Sequence, residues 1–77
     1  MGTVERFERA VLEARRRGFE VRFEALQGTA GGLCEFGAKR WIFVDLTAQV
    51  GEQLEQILTA LKLAEARSRT ISQSHVA

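Results

Sequence analysis

The first candidate for chemistry in this 77-residue chain is Cys34, its single cysteine. A thiol becomes a nucleophile or a redox group when a nearby base or cation lowers its pKa. The one histidine, His75, lies far along the chain near its C-terminal end. A lone cysteine on a short strand is more often a small buried apolar residue. A thiol- or metal-dependent enzyme centred on Cys34 is therefore the third interpretation, and the sequence predicts a protein without catalysis or cofactor.

The second candidate is a basic cluster, whose guanidinium groups are suited to phosphate contacts. Its members are Arg15, Arg16, Arg17 and Arg40. Glutamates interrupt the cluster in the sequence, and eleven basic against ten acidic residues leave a net charge of +1. A charge this small does not steer a protein to nucleic acid or to anionic lipid. The cluster is interpreted as a solvated helix end, and a nucleic-acid-associated regulator using these arginines and sheet aromatics is the alternative.

A helix and a strand are predicted to open the chain. Thr3 is suited to cap a helix from Val4 to about Arg17, with Gly18 ending it in the left-handed conformation. Strict alternation of apolar and charged residues from Phe19 to Leu26 then predicts a half-buried strand. Turn residues follow at Gln27–Gly32, where the sequence predicts a flexible turn.

Two more strands and a second helix complete the predicted fold. The strands are Leu33–Phe36 and Arg40–Leu46, and an amphipathic helix starts at Thr47 or Gln49 and ends at about Ala66. Short turns favour an antiparallel meander. The prediction is a two-layer α+β domain, α-β-β-β-α, with both helices on one face of the sheet. It spans residues 1–66, and the polar segment 67–77 is predicted to be a disordered tail.

Composition favours a soluble protein of the cytoplasm. Apolar residues make up 45% and charged residues 27% of the chain, as in ordinary globular domains. A lone cysteine in a small domain fits a reducing compartment better than secretion. The N-terminal residues lack the apolar core of a signal peptide, and no apolar run approaches the ~20 residues of a membrane span. We therefore expect no membrane association.

The third predicted strand is apolar on both faces. Ile42 and Val44 alternate with Trp41 and Phe43, and the sequence does not decide which pair meets the helices. Helices on one side of the sheet leave the other side open, and exposed apolar patches mark contact sites. The predicted interaction surface consists of Trp41, Phe43 and Phe36. It predicts a protein–protein interaction module that pairs with itself through strand 41–46 or through a sheet edge.

The end of the third strand and the helix after it resemble the core of the ImmA/IrrE-type zinc metallopeptidases. In that family a helix and a short antiparallel sheet precede the helix with the H-E-x-x-H motif. Val44-Asp45 matches the strand end, and Gln53–Leu63 matches the zinc helix. Thr59, Ala60 and Leu63 stand where the histidines and the glutamate would be. Because these side chains neither bind zinc nor act as a general base, the resemblance implies the fold without the catalysis.

The hairpin beginning Gly31-Gly32-Leu33-Cys34-Glu35 resembles that of small bacterial proteins with the same layout of elements. This second resemblance implies no activity. The leading prediction is therefore a homodimeric interaction module of a bacterial cytoplasm.

Overall fold

A helix, a three-stranded sheet and a second helix follow one another in the computed structural model, which describes residues 2–26 and 31–76, with side chains as far as Arg67. The elements are α1 (Thr3–Arg16), β1 (Glu20–Glu24), β2 (Gly32–Phe36), β3 (Lys39–Asp45) and α2 (Val50–Val76). The helices pack on each other and on the sheet, so the predicted two-layer α+β arrangement is confirmed. The predicted flexible turn falls mainly on residues 27–30, which lie outside the described residues.

Helix α1 forms because apolar residues recur at helical spacing and bury one stripe of its surface. The buried members are Ala10, Val11 and Ala14, and Phe7 packs against them while partly exposed. The predicted cap at Thr3 is wrong by one position. The helix already includes Thr3, and Gly2 is its N-cap without a side-chain hydrogen bond.

Helix α1 ends in a Schellman motif at Gly18, as the sequence predicts. The Gly18 N–H donates to the carbonyl of Arg15 and the Phe19 N–H donates to the carbonyl of Ala14, both at 3.0 Å. Gly18 adopts φ +93°, a conformation that favours glycine because it has no Cβ. Ala14 and Phe19 are both buried, so the motif turns the chain into the core at the start of β1.

The sheet is mixed, with the order β1-β3-β2, and the predicted antiparallel meander is wrong in this respect. β2 and β3 form the expected antiparallel hairpin around Gly37-Ala38, where Gly37 has φ +63°. β1 instead pairs parallel to β3, from Glu20 beside Trp41 to Glu24 beside Asp45. The connection 25–31 is long enough to cross the end of β3, and the central position buries the most apolar strand.

The core lies between the sheet and the two helices. Ile42, Val44 and Ile57 are its largest fully buried side chains. Ile42 and Val44 therefore meet the helices, which leaves Trp41 and Phe43 on the opposite face of the sheet. This resolves the alternative that the sequence left open.

Helix α2 begins at Val50 and continues to Val76, past Ala66, where the sequence predicts its end. Neither glycine nor proline follows Gly51 in the chain, so no residue type that ends helices interrupts it. Ala64 is the last buried residue among the described side chains. The domain boundary at residue 66 and the disorder of the tail stay predictions. Within the described ranges, neither helix combines the length and apolar character needed to cross a membrane.

Candidate interaction surface

The sheet has one face that the helices do not cover, which we call the open face. Side chains alternate along each strand, and laterally paired residues share a face, so the register defines its members. One row across the sheet is Glu20, Trp41 and Cys34, and the next is Arg22, Phe43 and Gly32. Phe36 belongs to the same face because it lies two positions from Cys34 along β2. The three aromatic residues predicted from the sequence therefore share one surface.

The open face divides into two halves. The apolar half consists of Trp41 and Phe43 on β3 with Cys34 and Phe36 on β2. Trp41 and Phe43 are half-buried, whereas Phe36 is 77% exposed. The indole Nε1 of Trp41 donates a hydrogen bond to the carboxylate of Glu20, which holds the ring beside β1.

The charged half is the exposed side of β1. Arg22 lies between Glu20 and Glu24, with guanidinium-to-carboxylate distances of 3.8 and 3.6 Å. All three side chains are exposed, and exposed ion pairs of this kind contribute only ~0–1 kcal/mol to stability. Arg22 balances one of the two glutamates, so this row beside the apolar half keeps one net negative charge.

Cys34 is exposed and makes no disulfide, so the expectation of a buried apolar cysteine is wrong. The register explains its exposure, because it directs the side chain to the open face opposite Trp41. Across the described residues, no group of three His, Cys, Asp or Glu side chains has an arrangement that could hold a metal ion. Thiol- or metal-dependent chemistry at Cys34 stays an untested prediction.

Three of the four candidate phosphate contacts, Arg16, Arg17 and Arg40, are paired with carboxylates rather than gathered into one cationic site. Glu13 accepts from Arg17 at 2.7 Å and pairs with Arg16 at 3.1 Å. The pKa of Glu13 is lowered, first by the hydrogen bond from Arg17 and also by the two positive charges. Arg15 lies apart, in a groove with Phe7 and Phe23. This arrangement gives the nucleic-acid alternative no added support.

Arg40 packs against the buried Phe19 at the edge of the core. Its guanidinium carbon lies 3.9 Å from the centre of the Phe19 ring, a cation–π contact. The same group donates to Glu35 at 3.3 Å and to the carbonyl of Arg17 at 3.4 Å. Glu35 also binds Arg67 of α2 at 3.0 Å. Glu35 thus carries two cationic partners on the helix side of β2.

A groove of about 620 Å³ lies beside the β2 edge, between that strand and α2. Its lining includes residues 31–34 of the chain and Gln56 of α2. The three α2 positions at which the peptidase resemblance places zinc ligands and base also line it, namely Thr59, Ala60 and Leu63. These three side chains supply no metal ligand of the usual N, S or carboxylate kind. The groove as a whole is mainly apolar, and Cys34 and Glu55 also line it.

Asp45 connects the end of β3 to its neighbours, a role that the sequence interpretation missed. Its Oδ1 accepts from the N–H of Thr47 at 3.0 Å, from the Thr47 hydroxyl at 2.7 Å and from the N–H of Leu26 at 3.4 Å. These bonds lower the pKa of Asp45, the Thr47 hydroxyl first. The sequence signal was the Asp-x-Thr pattern before a helix, which favours a local side-chain turn.

Two glutamines of α2 hold the backbone of the same residue. The Asp45 N–H donates to Oε1 of Gln56 at 2.9 Å, and Nε2 of Gln53 donates to the Asp45 carbonyl at 2.9 Å. Because both glutamines belong to α2, these bonds fix the helix against the end of β3. The C-terminal end of β3, the strand that contributes Trp41 and Phe43 to the open face, is therefore fixed by hydrogen bonds to α2.

Comparison of the chain with protein-family models, with curated proteins and with solved structures found no match in any of the three. The resemblance to the ImmA/IrrE-type peptidases stays a prediction.

Proposed function

We propose that this protein is a small non-catalytic interaction module that binds a second copy of itself through the apolar half of the open face. The observation that supports this most directly is the presence of Trp41, Phe43 and Phe36 on a sheet face that neither helix covers. Contiguous exposed apolar patches mark contact sites, and tryptophan is enriched among residues that dominate binding energy.

The distribution of charge supports the same proposal. Protein interfaces combine an apolar centre with a polar rim. The apolar half has the first property, and the Glu20–Arg22–Glu24 row beside it has the second. Burying one large apolar side chain such as Phe36 contributes ~1.5–3 kcal/mol. Several such side chains on each copy would offset part of the translational and rotational entropy lost on association.

A second copy is the partner because closed two-fold pairing is the commonest way in which soluble chains associate. Both copies then contribute side chains of the same apolar half to the contact. The proposal includes the reducing cytoplasm predicted from the lone cysteine, where Cys34 stays a free thiol, and the bacterial origin implied by the resemblance of the hairpin.

Sedimentation equilibrium over a wide concentration range tests the proposal. We expect a reversible monomer–dimer equilibrium in the wild-type protein. In Phe36→Ser the dissociation constant should rise about tenfold or more, equivalent to ~1.4 kcal/mol or more. Circular dichroism checks that the variant keeps its fold.

Leu12→Ser is the matched control. Leu12 is 64% exposed on α1, so its substitution removes a comparably exposed apolar side chain away from the sheet. We expect this control to dimerise as the wild type does. A wild-type protein that stays monomeric at every concentration would overturn the proposal, as would equal weakening by both substitutions.

A further inference from the structure

The two edges of the sheet differ in how they are protected. Natural edge strands avoid uncontrolled pairing by means of charges, proline or bulges. β1 carries three charged residues in a row on its exposed side. β2 has no proline, its one charged residue, Glu35, is paired with Arg40 and Arg67, and its register against β3 is unbroken from Gly32 to Phe36. β2 is therefore the edge that is open to another strand.

The hydrogen-bonding groups on the free edge of β2 follow from the alternation of the ladder. Leu46, directly after β3, donates its N–H to the carbonyl of Glu24 at 2.8 Å. Backbone groups alternate in direction along a strand, so the even-numbered residues of β3 also bond towards β1. Odd-numbered residues of β3 then bond towards Gly32, Cys34 and Phe36. Leu33 and Glu35, which lie between these, direct their N–H and C=O groups outwards. A partner strand could therefore form backbone hydrogen bonds with Leu33 and Glu35.

We propose that two copies associate by pairing their β2 strands antiparallel about a two-fold axis at Cys34, forming one continuous sheet. This register rests on the self-association proposed above and brings Cys34 and Phe36, the two members of the apolar half on β2, to the contact. Leu33 of one copy exchanges both backbone hydrogen bonds with Glu35 of the other. Cys34 faces its own counterpart as a non-hydrogen-bonded pair, and Gly32 faces Phe36.

Two features of the side chains are compatible with this register. A Cβ added to Gly32 would have no heavy atom within 4 Å, so open space lies beside Phe43, its partner in the same row. The Phe36 ring of the other copy would cover this space, as aromatic side chains do opposite glycines in sheets. The two Glu35 carboxylates that approach one another each have counter-charges within their own copy, Arg40 and Arg67.

The groove beside β2 enlarges the contact beyond the strand itself. β2 has only five residues, and stable interfaces bury ~1,200–2,000 Å² in total. On the open face, Phe36 and Cys34 extend the contact. On the helix face, Leu63, which is 44% exposed, and the half-buried Leu33 line the groove at the same edge. Apolar surface on both sides of the strand thus adds to the backbone pairing.

Oxidative cross-linking of the full chain tests the register. A non-hydrogen-bonded antiparallel pair has Cα atoms ~4.5 Å apart, within the ~4.4–6.8 Å range that a disulfide needs. Diamide, which takes up two electrons and two protons, should convert Cys34 into an intermolecular disulfide at concentrations where the dimer forms. The control is Cys34→Ser combined with Leu12→Cys, which moves the exposed thiol to α1. We expect this control to cross-link at least tenfold more slowly.

A pair of substitutions at Glu35 tests the backbone bonds independently. Glu35→Pro removes an outward N–H and leaves the β2–β3 ladder complete, since proline is tolerated where the N–H faces away from the sheet. Glu35→Ala removes the same side chain and keeps the N–H. We expect the dissociation constant to rise at least tenfold more in the proline variant than in the alanine variant, with both folded by circular dichroism.

The outcomes separate this register from the proposed function. A dimer in which Cys34 cross-links no faster than the control thiol overturns the β2 pairing and leaves self-association standing. Equal dimerisation of the proline and alanine variants overturns the pairing in the same way. A protein that stays monomeric overturns both proposals.

Discussion

Asp45 is the residue on which the geometry of the sheet end depends. Its carboxylate accepts hydrogen bonds from Thr47 and Leu26, and its backbone binds Gln53 and Gln56 of α2. Such a carboxylate is held in its ionised form, because each N–H and O–H donor stabilises the negative charge. The folded state therefore lowers the pKa of Asp45, the Thr47 hydroxyl being the largest cause.

The pH dependence of stability follows from this lowered pKa. An unfolded aspartate titrates near ~3.9, so the stabilisation is complete above that pH and is lost as the pH falls through the lower folded pKa. We expect the free energy of unfolding to fall more steeply with acid in the wild type than in Asp45→Asn. Urea unfolding at a series of acid pH values measures this difference.

The control for this prediction is Thr47→Val, which removes the hydroxyl that lowers the pKa most. It should give a pH dependence between those of the wild type and Asp45→Asn. Glu13, whose pKa is also lowered, is present in all three proteins and contributes equally to each. Identical pH profiles for the wild type and Asp45→Asn would contradict the role of Asp45.

At the scale of elements, the connection from β1 to β2 decides the topology. β1 and β2 lie on opposite sides of β3, and Gly31, just before β2, approaches β3 closely. A Cβ added to Gly31 would lie 2.6 Å from the carbonyl oxygen of Phe43 and 3.2 Å from Leu26. Only glycine allows this approach, so the start of β2 beside β3 depends on the residue type at position 31.

Two glycine-to-alanine substitutions separate the steric effect of this close approach from the general effect of replacing glycine in a helix. Gly31→Ala should lower the free energy of unfolding by ~1–3 kcal/mol, because the backbone must move to admit the methyl group. Gly51→Ala, in the first turn of α2, meets no atom within 4 Å and should raise it by up to ~1 kcal/mol. Urea unfolding of both variants measures these changes, and a shift of the same sign in both would refute the interpretation.

The elements show what the sequence could and could not predict. Helical spacing in α1 and alternation in β1 predicted both elements because the period of apolar residues is a local property. The two apolar faces of β3 were also visible, and they identified Trp41 and Phe43 as surface candidates. Their orientation was not predictable, since it depends on Ile57 and other residues of α2 that pack on Ile42 and Val44. The parallel pairing of β1 and the contacts of Gly31 depend on partners distant in sequence, so local patterns did not reveal them.

At the scale of the whole molecule, association and stability are linked. Only folded chains associate in the proposed dimer. Association therefore raises the free energy of unfolding in proportion to the logarithm of the protein concentration. The thermal midpoint of the wild type should therefore rise as the protein is concentrated, whereas that of Phe36→Ser should rise much less. Calorimetry over a wide concentration range measures both, with Leu12→Ser expected to behave as the wild type. A midpoint independent of concentration in the wild type would contradict this expectation.

The strand order also has a consequence for how the chain folds. The hairpin of β2 and β3 closes around Gly37-Ala38, a local event that takes microseconds. β1 can join only by pairing with distant residues, as Glu20 does with Trp41, and such contacts form later. Until β1 docks, β3 has unpaired backbone groups along one side, and its apolar side chains are only partly covered. The time between hairpin closure and β1 docking is therefore when a refolding chain is most exposed to aggregation, so dilution should improve refolding yield.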